Sequence, residues 1–194
     1  MAFSPDGKLA TADGDGTVRL SDPATGQAVG APLSAVTNGS VTEVAFSPDG
    51  KLLATADTAG YVRLWDRATQ HAVGAPLPVV SGGVNGVAFS PDGKLLATAG
   101  GDGTVRLWNP ATWQAPCAPL PVVSGGVNGV AFSPDGRLLA AAEADGYVRL
   151  WNPVTGQAAR ASFLAVANGG VNEVAFSPDG KLLASAGGDG SVRL

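Results

Sequence analysis

The sequence predicts an all-β fold in which four-stranded antiparallel sheets recur along the chain and stack on one another. Three observations carry that prediction. The segment Ala-Phe-Ser-Pro-Asp-Gly occurs five times, with Phe3, Phe46, Phe89, Phe132 and Phe176 spaced by 43, 43, 43 and 44 residues. Self-similarity at such a period marks a repeat architecture. The 28 Gly and 14 Pro among 194 residues require many tight turns. Between those turns lie short apolar and β-branched runs with no sustained helical period.

One period, Val84 to Val123, shows the elements in order. Val84-Asn85-Gly86-Val87-Ala88-Phe89 reads as a first strand. Ser90-Pro91-Asp92-Gly93 is a turn, because Pro presets φ at its second position and Gly tolerates the positive φ that follows. Leu95 to Ala99 is a second, apolar strand, and Gly100-Gly101-Asp102-Gly103 reverses the chain again. Thr104-Val105-Arg106-Leu107-Trp108 is a third strand, and Asn109-Pro110-Ala111-Thr112 leads into a weaker fourth near Cys117 to Val123. Antiparallel reversal puts the Ser-Pro-Asp-Gly turns on one face and the Gly-Gly-Asp-Gly turns on the other. A single such sheet cannot bury both of its faces, so neighbouring sheets must cover it by radial stacking.

Phe-Ser-Pro-Asp-Gly-Lys-Leu-Leu-Ala, Asp-Gly-Thr-Val-Arg-Leu-Trp and the pair Trp65-Asp66 resemble WD40 repeats, over essentially the whole chain. The resemblance implies a WD40-type β-propeller of about four and a half blades in one repeat region. The blades fall at 1–40 (partial and degenerate), 41–83, 84–126, 127–170 and 171–194 (partial), as an open or incomplete ring. Met1 stands where other repeats have Val44, Val87, Val130 and Val174, and Leu194 falls just before the position of Trp65, Trp108 and Trp151. A segment of a longer propeller is therefore expected, with unpaired ends that favour self-association.

The chain also departs from the family's pattern. The usual His before each first strand is replaced by Thr37, Val80, Val123 and Ala167. The resemblance implies a buried network joining that His to an Asp, a hydroxyl and the Trp. Its Asp is present as Asp15, Asp102, Asp145 and Asp189, with Ala59 in the second repeat. Its hydroxyl is Thr11, Thr55, Thr98 and Ser185, with Ala141 in the fourth. The Trp-Asp pair reads Ser21-Asp22, Trp65-Asp66, Trp108-Asn109 and Trp151-Asn152. An incomplete network leaves stability to apolar packing between blades. On this reading Asp102→Ala costs more than Asp57→Ala, since Asp57 lies outside the network position. The first repeat has Lys8-Leu9-Ala10 where others have Lys-Leu-Leu-Ala, and such a deletion flips later side chains unless the turn absorbs it.

The formal charge of −4 opposes nucleic-acid or anionic-membrane binding. Cys117 is the only cysteine, so no intrachain disulfide forms. No apolar run approaches a membrane span and no signal-peptide pattern opens the chain, so a cytoplasmic, bacterial-type protein is expected. His71, the only histidine, has no companion ligand, and Asp13-Gly14-Asp15-Gly16 lacks the further oxygens of a Ca²⁺ loop, with Ala24 where its Glu would stand. Neither Cys117 nor the turn serines Ser4, Ser47, Ser90, Ser133 and Ser177 have a partner base. No metal, cofactor or enzymatic activity is expected. Arg19, Arg63, Arg106, Arg149 and Arg193 recur once per blade and are expected to pair with turn carboxylates rather than to bind an anion.

The function expected is a noncatalytic scaffold for other proteins or peptides. The alternative is a sensor segment of a larger bacterial signalling protein carrying an ATPase, protease or kinase-like domain, and an enzymatic propeller is more distant. The resemblance implies docking on the face of the fourth-to-first and second-to-third strand connections. Residues that vary there are Thr42, Glu43, Asn85, Asn128, Asn172 and Glu173, with Asp57, Thr58, Glu143 and Ala144 on the other loops. Trp113, where other repeats have Gly26, Gln70 and Gly156, is a candidate contact in a loop expected to be exposed.

Overall fold

The computed structural model describes residues 1–36, 39–79, 82–122 and 125–194. Thr37, Val80 and Val123, at the expected His position, lie outside the described residues. Blade 1 holds β1 (Ala2–Phe3), β2 (Leu9–Ala12), β3 (Thr17–Asp22), β4 (Gln27–Ala28) and β5 (Leu33–Ser34), the last two both pairing with β3. Blade 2 is β6 (Val41–Phe46), β7 (Leu52–Asp57), β8 (Tyr61–Asp66) and β9 (Leu77–Pro78). Blade 3 is β10 (Val84–Phe89), β11 (Leu96–Gly100), β12 (Thr104–Trp108) and β13 (Leu120–Pro121). Blade 4 is β14 (Val127–Phe132), β15 (Leu139–Glu143), β16 (Tyr147–Trp151) and β17 (Phe163–Leu164). Blade 5 is β18 (Val171–Phe176), β19 (Leu183–Gly187) and β20 (Val192–Arg193). Each sheet pairs its strands antiparallel in chain order, and only consecutive blades pack extensively together. The blades form an open arc.

The fourth strand of blade 3 is shorter than the run Cys117 to Val123 predicted for it. In blades 1, 2 and 4 the amides of Val29, Val73 and Ala159 donate to the carbonyls of Leu20, Leu64 and Leu150 at 2.8 Å. The matching residue in blade 3 is Pro116, which has no amide hydrogen to give.

The deletion in the first repeat is absorbed by its turn. The amide of Ser4 meets the carbonyl of Lys8, four residues on, whereas Ser47 meets that of Leu52, five on. The strand pairing is thereby preserved: Leu9↔Ser21 and Ala10↔Leu20 match Leu53↔Trp65 and Ala54↔Leu64.

Every blade joint has the same chemistry. A forward face of two alanines from the second strand and Val and Leu from the third packs on the next blade's back face. Blade 2 offers Ala54, Ala56, Val62 and Leu64, and blade 3 covers them with Val84, Val87, Leu96 and Phe89. Ala97, Ala99, Val105 and Leu107 repeat the arrangement against Val127, Val130, Leu139 and Trp151 of blade 4. Dry burial of these side chains drives the stacking.

The two rims of the arc differ. On one, each turn glycine approaches the proline of the preceding turn. A Cβ on Gly50, Gly93, Gly136 or Gly180 would stand 3.4, 3.6, 3.6 and 3.5 Å from Pro5, Pro48, Pro91 and Pro134 respectively. On the other rim, the second-to-third-strand turns pack against the loops that enter the first strands. The amides of Thr58, Gly101, Ala144 and Gly188 donate there to the carbonyls of Ser40, Gly83, Gly126 and Gly170 at 2.8–3.1 Å.

Candidate interaction face

The second rim carries most of the residues singled out above. Its turns are held by a carboxylate that accepts the amide two residues on. Asp15 accepts from Thr17 at 3.0 Å, Asp102 from Thr104 at 3.1 Å, Asp145 from Tyr147 at 3.2 Å and Asp189 from Ser191 at 2.9 Å. Blade 2 has Ala59 there, and Asp57 takes over. Its Oδ1 accepts the amides of Ala59 at 3.0 Å and Tyr61 at 2.9 Å, from a site only 3 % exposed. The placement reverses the expected ranking of Asp57 and Asp102: Asp57 is a buried turn anchor, whereas the Asp102 side chain is 25 % exposed.

The indole–hydroxyl pairs form separately from these turns. Trp65 Nε1 donates to Thr55 Oγ1 at 3.2 Å and Trp108 Nε1 to Thr98 Oγ1 at 3.1 Å. Trp151 packs beside Ala141, which has no hydroxyl to offer, and Ser185 is buried in blade 5. Each pair bridges the second and third strands of one blade.

The arginines follow the turn carboxylates. Arg19 pairs with Asp13 and Asp15, Arg106 with Asp102 at 2.9 Å, and Arg149 with Glu143 at 2.6 Å. Arg63 and Arg193 have no carboxylate within ion-pair distance among the described residues; the blade of Arg63 has Ala59 where Asp15 and Asp102 pair with their arginines. Arg63 pairs with Thr55 across the sheet and so shares a face with it, two residues from the 40 % exposed Tyr61. Tyr61 and Arg63 were not among the expected contact residues. The signal was present in the absence of Asp at position 59.

Glu143 is fully buried. Burial pushes its carboxyl up to about 7, the Arg149 guanidinium opposes that shift, and the neighbouring Asp145 carboxylate reinforces it. Arg149 Nε touches Glu143 Oε1 at ion-pair distance without the alignment of a hydrogen bond. Glu143 is therefore inaccessible to a partner.

Thr42, Asn85 and Asn128 serve the joints. A bulge between Val41 and Glu43, and its counterparts in the next three blades, leaves the intervening residue outside the ladder. Thr42 Oγ1 donates to the Val84 carbonyl at 2.5 Å, Asn85 Nδ2 to that of Val127 at 2.9 Å and Asn128 Nδ2 to that of Val171 at 2.8 Å. Asn172, last of the series, is exposed and has no such carbonyl among the described residues.

Glu43 Oε2 accepts the Val87 amide of the next blade at 3.1 Å, while Glu173 Oε1 accepts its own neighbour Val174 at 3.2 Å. Burial, reinforced by the Glu173 carboxylate, pushes Glu43 up to about 7, and burial raises Glu173. Between these residues, Gly86 and Gly129 bring adjacent first strands so close that a Cβ on Gly86 would lie 3.2 Å from the Gly129 Cα.

Trp113 is not the exposed aromatic expected. Its φ of 58° folds it back, and it packs against the blade 2–blade 3 core. Gln70, at the same position with φ 60°, likewise reaches blade 1. Its Nε2 donates to the Val29 carbonyl at 2.8 Å and its Oε1 accepts from Ala31 at 3.3 Å. A side chain on Gly30 would occupy the space of the Gln70 amide. Thr58 and Ala144 remain exposed on the rim, with Thr58 Oγ1 accepting the Ser40 amide at 3.2 Å.

On the opposite rim the polar turn groups are engaged internally. Ser4, Ser47, Ser90, Ser133 and Ser177 each donate to the aspartate two residues on, at 2.6–2.7 Å. Arg67 adds an ion pair from blade 2 to Asp6 of blade 1 at 2.6 Å. Hydrogen bonds from Arg67 and Ser4 lower the Asp6 carboxyl to about 2. Among the described residues no group of three or more His, Cys, Asp or Glu is placed to hold a metal ion, and no helix is long and apolar enough to cross a membrane.

Stacked antiparallel blades tied through their first strands define a repeat protein of the propeller class. The family model for the WD domain, G-beta repeat, matches residues 1–22, 31–66, 74–109, 119–152 and 162–194, and the chain belongs to the WD40 repeat family. No significant match was found among individual curated proteins.

Proposed function

We propose that the chain is a noncatalytic scaffold that binds a protein or peptide on the rim of second-to-third-strand turns. One observation carries the choice of face. The Ser-Pro-Asp-Gly rim spends its hydroxyls and carboxylates on its own turns. The other rim leaves Arg63 without a carboxylate among the described residues, two residues from exposed Tyr61, with exposed Thr58 in the turn that precedes it. Tyrosine and arginine are frequent anchors of protein interfaces, and an unneutralised guanidinium favours a carboxylate on the partner. Blade 2 carries these residues, and Ala144 holds the position equivalent to Thr58 two blades on, on the same rim.

Site-specific photo-crosslinking in cells tests the reading. A photoreactive residue at Thr58 or Ala144 should trap a partner that one at Pro91, on the opposite rim, does not. Arg63→Gln should weaken that capture, and Arg106→Gln, already paired with Asp102, should not. Capture from Pro91 alone, or equal capture from both rims, would move the site elsewhere.

A further inference from the structure

Arg67 shows what the Ser-Pro-Asp-Gly rim can hold. The residue after the Trp-Asp position is Pro23, Arg67, Pro110 and Pro153 in blades 1 to 4, so blade 2 alone of the four puts an arginine there. Its guanidinium lies between the turns of blades 1 and 2. Nη2 donates to Asp6 Oδ2 of blade 1 at 2.6 Å, and Nη1 donates to the Gly50 carbonyl of blade 2 at 3.4 Å. Cζ stands over the Phe46 ring, 5.9 Å from its centroid. One side chain thus closes the groove, and Gly50 is buried.

The next two grooves repeat the frame without the arginine. Asp49 and Gly93, counterparts of Asp6 and Gly50, line a groove of 440 Å³ between blades 2 and 3. Asp92 and Gly136 line one of 300 Å³ between blades 3 and 4, with Pro153 at its wall in the place of Arg67. Gly93 and Gly136 are only half-buried. Pro48, Leu52 and Pro91 give the first groove apolar walls, and Pro91 and Leu95 do so for the second, which suits the aliphatic stem of a long cationic side chain. Each aspartate also keeps one oxygen for a ligand. Oδ1 of Asp49 accepts from the Ser47 hydroxyl and the Lys51 amide, and Oδ1 of Asp92 from the Ser90 hydroxyl and the Lys94 amide. Those bonds hold both carboxyls below the usual range, so both are charged at neutral pH. Oδ2 of each meets a lysine Nζ at 3.6 Å, from Lys51 and Lys94 side chains 80 % and 81 % exposed, and such pairs contribute little. In blade 1 the matching lysine, Lys8, turns to Asp22 at 2.6 Å and leaves Asp6 to Arg67.

We propose that these two grooves each bind an arginine side chain from a basic segment of a partner protein, as the groove between blades 1 and 2 binds Arg67. A guanidinium serves the carboxylate and the glycine carbonyl together through N–H groups held in one plane, which a lysine ammonium cannot reproduce. The net charge of −4 draws such a segment in. Grooves on consecutive joints favour a segment with two arginines, whose second contact is then intramolecular. The site lies on the rim opposite the proposed partner face and takes a ligand of opposite charge, so the two readings stand or fall separately.

Amide chemical shifts of the full chain, followed by NMR, test the proposal. The probes are capped peptides with two arginines separated by glycine runs of increasing length, and a matching lysine series. Arginine peptides should give saturable shifts at Gly93 and Gly136 but not at Gly50, whose groove Arg67 fills, and lysine peptides should bind more weakly. Asp49→Asn keeps the oxygen that the turn uses and removes the charge, so the Gly93 response should be lost while a weaker one persists at Gly136. Pro110→Arg should close the same groove from within and also lose the Gly93 response. Arg67→Ala should gain a response at Gly50 that the wild type lacks, which a misfolded variant cannot mimic. No saturable shift with any arginine peptide, or equal binding by the lysine series, would overturn the proposal. So would a Gly93 response that survives Asp49→Asn, or no Gly50 response in Arg67→Ala.

Discussion

Asp57→Ala removes the carboxylate that shapes the blade 2 turn. Asp57 is 3 % exposed, and one of its oxygens accepts two amides, from Ala59 and Tyr61. Hydrogen bonds to a charged acceptor contribute about 1.5–3 kcal/mol each. Because both amides share one oxygen, the second adds less than the first, and the loss should be about 3 kcal/mol. Asp102→Ala removes bonds to Thr104 and the pair with Arg106, but from a side chain 25 % exposed. Water replaces much of what is lost there and screens the ion pair, so about 1 kcal/mol is expected. For a chain of this size about 1 kcal/mol moves the melting temperature by roughly 2–4 °C. Asp57→Ala should therefore lose about 6–12 °C, and Asp102→Ala about a third of that. Repeat arrays can melt in stages, so hydrogen exchange at the Tyr61 amide supplies a local readout. Protection should collapse in Asp57→Ala and persist in Asp57→Asn, which keeps an acceptor oxygen. Equal melting losses for the two alanine variants, or undiminished Tyr61 protection, would show that something other than Asp57 holds the turn.

Three further outcomes follow from the same contacts. Glu43 and Glu143 have carboxyls raised to about 7 when folded, from an ordinary 4.5, so the folded chain binds their protons more tightly. Their stabilising contribution is full below pH 4.5 and lost as pH rises through about 7. Melting temperature should rise from pH 8 to pH 5 through these two groups, and Glu143→Gln should flatten that limb; an unchanged slope would mean that Glu143 is hydrated. Below that range the lowered carboxyls, led by Asp6 at about 2, act in the opposite sense, and their contribution is lost as pH falls toward that value. Gly30→Ala should destabilise wild type more than it does a Gln70→Ala background, because one source of strain is the Gln70 amide; a strictly additive double-mutant cycle in thermal melts would refute that coupling. Ala141→Thr restores to Trp151 the hydroxyl that Thr55 and Thr98 give to Trp65 and Trp108, and should raise stability by about 0.5–1 kcal/mol. A drop on calorimetry would show that the fully buried site has no room for it.

The strands were legible because Pro and Gly punctuate each period at the same offsets, so one reading of Val84 to Val123 served the other blades. The run Cys117 to Val123 overextended blade 3's fourth strand, which is two residues long as in blades 2 and 4; what Pro116 removes is the amide that ties the preceding loop to the third strand in the other blades. The joints were hidden for a different reason. Asn85 meets a carbonyl 42 residues away, and nothing local in Val-Asn-Gly-Val marks a bulge. Thr42, Asn85 and Asn128 therefore looked like variable surface residues. Trp113 was misplaced because a left-handed backbone at a non-glycine residue is rare, and position alone put it in solvent. The Asp57 exchange could have been found, since Ala59 and Asp57 stand two residues apart and a turn needs only one acceptor.

The ties between consecutive first strands and the glycine-on-proline ladder have a consequence for the gene. From blade 2 onward each joint asks the same of its two sides: an Asn or Thr that donates, a Val carbonyl that accepts, a proline below and a glycine above. Out-of-phase recombination between two such periods would remove or add 43 or 44 codons and keep the donor, carbonyl, proline and glycine of a joint on either side of the crossover. What changes is the number of blades, and with it the length of each of the two rims.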